Sequence, residues 1–451
     1  MTVEPSRRNA AHLLRRAGWG GTESEIDRVT RDGIEASVDR LLDISGALPA
    51  SEPGRSRGEA PYPEEALLLW FVHLAVTSPT PALERLLWFW HGHFATSLEK
   101  VEFPDLLHRQ WVTLRRLATG RLDDLLVAMT HDPAMNVWLD LDTSVVGRPN
   151  ENYARELLEL FSMGAGNGYT QADVVEAARA LTGYGLRYDP RADRPVGARL
   201  DLALHDYGPK TFLGQRGNFD VDDIVSIVVE RPECHRFVAA RFWLRYAGTE
   251  PPHGVLDELA RALGSRLRID DLLRALLTHP RFYAEEVRSG LVSQPVEVLC
   301  RTVRGFEIPT VDIEGRTLEE VEASLGDEHV SLQLLDWFGG MGQMPGYPPN
   351  VGGWPHNSAW LGSNRAAERL LVGHDIGRYL AEADTPVGDE LRRATTDGDA
   401  LAAVLFRRFG VVEWSNETAR AVATAADGSD RASALAAAFA VAFTSPEVTL
   451  A

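Results

Sequence analysis

The chain has 451 residues, 46 Lys+Arg against 65 Asp+Glu, and a formal net charge of −19. That length exceeds one ordinary core, because domains of roughly 100–200 residues are the norm, and predicts two lobes or an extended helical array. The acidity argues against a general nucleic-acid binder, since phosphate recognition draws on surplus Lys and Arg. Cys234 and Cys300 are the two cysteines, too few for a disulfide framework or a thiolate zinc site. The longest mainly apolar stretches, Ala66–Val76 and Ala434–Phe443, fall short of the roughly 20 residues of a membrane span. The amino-terminal stretch lacks an apolar signal core, so the bare chain is expected to be cytoplasmic.

In chain order, residues 45–65 are Pro/Gly-rich and polar and predict a mobile surface loop. Pro81–Phe94 places Leu83, Leu86, Leu87, Trp90 and Phe94 on one helical face. Asp123–Leu126 leading to His131–Pro133 is echoed by Asp270–Leu273 leading to His279–Pro280, each a helix halted by proline. Thr170 can cap a helix, an acid follows at Asp173, and Gly183 closes the run. Arg199–Leu204 alternates with period two and predicts a strand, pairing with Tyr184–Tyr188 as a hairpin. Residues 339–364 mix glycine, proline and aromatics, as a functional or tightly packed loop does. The fold class is therefore mainly α, in two closely packed lobes (1–184 and 215–375) around a β-hairpin insert at 185–214. A helical tail at 376–451 is expected to pack on the second lobe.

Three constellations carry candidate chemistry. His91 and His93 would face the same way on a strand and share a divalent metal. On a helix they diverge by about 200°, and a shared ion then needs a break at Gly92. Asn152, Glu156 and Glu159 form an i, i+4, i+7 row that could hold a hard cation or a polar substrate. The plain alternative is a solvated face with Glu151–Arg155 and Arg155–Glu159 pairs. His205, Asp206 and Lys210 sit together and could supply a general acid/base and a cationic anchor, or simply shape a turn. Nucleotide-loop, zincin and nucleophile-elbow motifs are missing. Cys234 and His235 diverge on a helix, so a thiolate dyad is not expected.

Several long motifs occur in order: HLLRRAGWGGT (12–22), WHGHF (90–94), NENYARELLELFSMG (150–164), YTQADVVEAARALTGY (169–184), HDYGPKTFLG (205–214) and PPNVGGWPHNSAWLGSNRAAERL (348–370). Together they make the chain resemble the domain of unknown function 1800 family, an uncharacterised bacterial group. The family signal thins beyond about residue 375. The resemblance implies a predominantly helical protein without an assigned activity. It also implies a genomic neighbour of the domain of unknown function 1501 family, which is similar to phosphatases and sulfatases and often carries a twin-arginine export signal. Export alongside that partner is then a second route. The family motifs fall on His91, His93, Asn150, Glu151, Arg155, Glu156, His205, Asp206, Lys210, Asn350, Trp354 and Arg365. Asn150, Asn152, Arg155, Asn350, Trp354 and Arg365 are the expected binding residues, His205, Asp206, Lys210 and Glu156 the candidate catalytic ones, and His91, His93, Glu156 and Glu159 the candidate metal ligands. Two functions follow as expectations: an accessory binding protein, or a helical metal-dependent or acid/base enzyme (hydrolase or oxidoreductase) on a small polar substrate.

Overall fold

Proline placement sets many of the helix starts. In the computed structural model, which describes residues 3–47, 64–189, 194–313, 316, 320, 330–428 and 430–450, helices dominate. After α1 (Arg7–Ala17) and α2 (Glu64–Thr77), helix α3 runs Pro81–His93 and α4 runs Pro104–Leu117. Pro81 and Pro104 occupy first-turn positions, where a missing N–H costs nothing. Residues 48–63, most of the expected mobile loop, lie outside the described residues.

Helix α5 (Glu151–Glu156) passes into a π-helical stretch, Leu157–Ser162, so the α-helical register assumed for the Asn152/Glu156/Glu159 row stops at Glu156. Thr170 caps α6 (Gln171–Ala180) in a capping box with Asp173, and Gly183 follows at positive φ. The strands differ from expectation. β1 (Tyr184–Asp189) pairs antiparallel with β2 (Arg194–Leu200), so the hairpin forms, but of the expected second strand, Arg199–Leu204, only Arg199 and Leu200 take part, facing Gly185 and Tyr184. Beyond Leu200 the Asp201 carboxylate accepts from Ala203 N at 3.0 Å and turns Leu202–Leu204 into a 3₁₀ segment. Leu200, Leu202 and Leu204 are exposed, so their alternation marks a surface strip and not a buried strand face. A second small hairpin joins β3 (Lys210–Phe212) and β4 (Gln215–Gly217).

The internal echo has a structural counterpart. Leu122 N bonds Leu267 O and Ile269 N bonds Gly120 O, each at 2.9 Å, so the entrances of the two echoed helices pair as a short antiparallel bridge. Arg121 grips Asp123 as Arg268 grips Asp270.

Helix α7 (Pro232–Ala247) ends at Gly248 in the left-handed region, and α8 (Pro295–Gly305) opens on a capping box between Gln294 and Glu297. α9 (Ser363–Glu382) packs along α10 (Arg431–Thr444) at close range. A Cβ on Gly377 would meet Ala436 Cα at 2.8 Å, so glycine lets the two backbones approach. Buried apolar residues from Ala10 to Val448 join one contiguous cluster, in which α2, α3, α4 and α8 bring their aromatic and branched faces together. No helix among the described residues is long and apolar enough to cross a membrane.

Candidate functional site

Helix α3 is aromatic and buried along nearly its whole length, and it runs unbroken through Gly92 to His93. The two histidine rings therefore diverge. Both nitrogens of His91 lie against N–H groups, Trp111 Nε1–H at Nδ1 (3.2 Å) and Gly346 N–H at Nε2 (3.1 Å). A neutral ring has one lone pair, so accepting from either of them leaves none for an ion. On the other side, His93 Nε2 faces the Phe161 carbonyl at 3.0 Å. That carbonyl lies in the π-helical stretch, so the 90–94 and 150–164 motifs meet at this bond. Burial pushes both imidazoles down to about 3 and keeps them neutral.

His93 lines a polar cavity of about 30 Å³, together with Phe89 and Gly92 of α3, Arg241 and Arg245 of α7, Gln294, and the loop residues Gly352, Trp354 and His356. A larger groove of about 890 Å³, lined by Pro232, Asp257 and Ala260 among others, is open to solvent and holds none of the sequence-predicted residues, so the smaller cavity is the site of interest. Arg241 and Arg245 are four residues apart, which puts both on one face of α7. Gln294 Oε1 accepts from Trp88 Nε1 (3.2 Å), Arg245 Nη2 (2.8 Å) and Gln343 Nε2 (3.0 Å), tying α3, α7 and the 339–364 loop to the start of α8. Behind it, Glu297 pairs with Arg85 at 2.6 Å and Arg245 at 3.3 Å. Burial raises the Glu297 carboxyl, but Arg85 and then Arg245 outweigh it and hold it at about 2. Burial also pushes the His356 imidazole down to about 3, with Arg245 and Arg241 adding to the effect.

Trp354 packs tilted against Trp88 at 4.5 Å and edge-on to His91 at 5.1 Å, centroid to centroid, and closes one side of the cavity. Gly353 makes that approach possible. Its φ is +83°, and a Cβ there would sit 2.3 Å from the Gly92 carbonyl. Gly353→Ala is expected to lose at least about 2 kcal/mol in denaturant unfolding, since left-handed strain and a backbone clash add.

The other predicted residues fall outside this cavity. Asn150 caps α5, accepting from Asn152 N at 2.9 Å and donating to Asp140 O at 3.1 Å. Arg155 bridges Glu151 (2.9 Å) and Gln171 (3.0 Å) on a partly exposed face. Glu156 is half-buried, and burial followed by Glu159 raises its carboxyl. His205 Nδ1 meets Thr182 O at 2.9 Å, and Asp206 takes a two-pronged bond from Arg179 that holds its carboxyl low. Lys210 is fully buried and spends Nζ on the Asp206 and Gly208 carbonyls, at 2.6 and 3.2 Å. These bonds knit the turn that carries β3. Asn350 Oδ1 accepts from Gly352 N at 2.9 Å, and Arg365 lies over Trp360 at 5.5 Å. Among the described residues, no three His, Cys, Asp or Glu side chains are placed to share a metal ion.

The cavity thus joins His93 and Trp354 with Arg241, Arg245, Gln294 and His356, which sequence reasoning did not single out. A signal for them existed: two arginines four apart on a helix rich in buried aromatics, and a histidine two residues after Trp354 in the same motif. A family model described as protein of unknown function (DUF1800) matches residues 12–450. The chain belongs to the DUF1800 family. In this DUF1800 chain the match runs through the tail, past residue 375, where the quoted motifs end. No curated protein and no solved structure matches it.

Proposed function

We propose that this DUF1800 chain is an accessory binding protein that holds a small polar ligand and works beside a phosphatase- or sulfatase-like partner of the domain of unknown function 1501 family. The observation that carries the ligand half is the convergence of motifs from far apart in the chain on one polar cavity. Its wall offers arginine, amide and imidazole groups, a set suited to holding a ligand and poor in the carboxylates that hydrolytic metals favour. The partner half rests on the family resemblance. Exposed Tyr188, Leu200, Leu202, Leu204 and Tyr207 around the hairpin offer apolar area for a partner to cover.

The test has two readouts. Co-expressed with its genomic neighbour, the chain should co-elute with it at micromolar concentration, and separate elution would end the accessory half. Native mass spectrometry of chain purified without exchange should show a small-molecule adduct, and a bare mass would end the ligand half.

A further inference from the structure

The cavity carries a charge imbalance that its own walls leave standing. Arg241 lines it and is partly buried, yet makes no hydrogen bond or ion pair among the described residues. Arg245 shares the single carboxylate of Glu297 with Arg85. Glu297 thus serves Arg85 and Arg245, and Arg241 beside them on the cavity wall has no carboxylate partner among the described residues. A guanidinium does not shed its proton in proteins, and holding one partly out of water without a counter-charge has a cost. A chain with net charge −19 has carboxylates to spare, but among the described residues none pairs with Arg241.

His93 narrows the ligand chemistry. A carbonyl only accepts, so the His93 nitrogen facing Phe161 O carries the ring proton. In the neutral ring Nδ1 then holds a lone pair, and this side chain, only 3% exposed, finds no donor for it among the described residues. Nδ1 of His356 is also buried and unpartnered. The walls thus call for negative charge on one side and a proton donor on another. Sulfate and carboxylates carry no proton near neutral pH, whereas hydrogen phosphate offers anionic oxygens and a P–OH group. The cavity has room for roughly two waters or one small oxyanion, and Phe89 and Trp354 keep its dielectric low.

We propose that the cavity binds inorganic phosphate in a protonated form, with Arg241 and Arg245 holding its anionic oxygens and the His93 lone pair accepting its P–OH. This rests on the ligand-binding reading above and names the ligand class for the same site.

The intact chain would be titrated with phosphate, sulfate and acetate at constant ionic strength and pH 7, by calorimetry and thermal unfolding. One phosphate should bind per chain and raise the unfolding temperature, with sulfate and acetate at least about tenfold weaker. Arg241→Gln removes an uncompensated charge, so without ligand it should unfold at the same or a higher temperature while losing the phosphate-dependent rise. Arg241→Lys, which keeps the charge, should retain part of that rise. A ligand-free Arg241→Gln chain that unfolds well below the parent would show a structural role and overturn the proposal, as would sulfate binding as tightly as phosphate. If phosphate fails while native mass spectrometry shows another small molecule, the oxyanion class falls and the ligand-binding reading stands. A bare chain that also ignores phosphate ends both.

Discussion

Glu297→Gln is expected to cost about 3–5 kcal/mol of folding stability, measured by urea unfolding at pH 7. The carboxylate is buried, takes Arg85 at 2.6 Å and Arg245 at 3.3 Å, and caps α8 by accepting from Gln294 N at 3.0 Å. Gln keeps the shape and the cap but leaves two guanidiniums without their counter-charge. Neighbouring cations deepen the loss. Burial lowers Arg301 to about 9 and Arg369 to about 10, and both spend donors on backbone carbonyls, at Val448 and Ser293. Removing Arg85 as well, as in Arg85→Met with Glu297→Gln, should recover part of the loss, because only Arg245 then lacks its counter-charge, and it still donates to Gln294 Oε1. A loss below about 1 kcal/mol for Glu297→Gln would mean that water or a ligand already screens the cluster.

Local chemistry made much of this fold legible. Thr170 with Asp173 and Pro81 at a first turn act within one helical turn, so sequence spacing suffices to place them. The hairpin shows the limit. Arg199–Leu204 alternates like a strand, but alternation does not say whether the apolar side is covered, and the Asp201 side chain redirects the backbone within two residues. The Asn152/Glu156/Glu159 row keeps its α spacing from Asn152 to Glu156, and a π-helical stretch replaces the α turn after Glu156, a change that sequence spacing does not announce. In the site, His93 and Trp354 stood out because each sits in a dense motif. Arg241 and Arg245 did not, since an arginine pair on a helix reads as surface until the packing of α7 against the rest of the core is known. What sets Arg241 apart from Arg245 is a missing partner, which only coordinates show.

Acidification should weaken the fold well before most carboxylates titrate. Burial pushes His91, His93 and His356 down to about 3, and His12 also lies well below its ordinary value, by burial and then by Arg16 and Arg15. Between 6.5, the ordinary imidazole value, and about 3, the unfolded chain binds protons that the folded chain refuses. Stability therefore falls with falling pH, by about 1.4 kcal/mol per pH unit for each such histidine. Asp132 acts in the opposite sense. Burial raises its carboxyl to about 7, so the folded form gains a proton first and offsets roughly one histidine's share. Glu297, held at about 2, adds its own loss only below about 4.5. Urea unfolding should accordingly show a drop of several kcal/mol between pH 7 and pH 5, a large part of the roughly 5–15 kcal/mol that folded chains possess. His91→Gln can still accept the Trp111 N–H but has no ring to protonate. It should be less stable at pH 7 yet lose about 1.4 kcal/mol less per pH unit on acidification. A parent chain equally stable at pH 7 and pH 5 would mean that these rings take up protons in the folded state and are not the sealed, neutral groups that line and back the cavity.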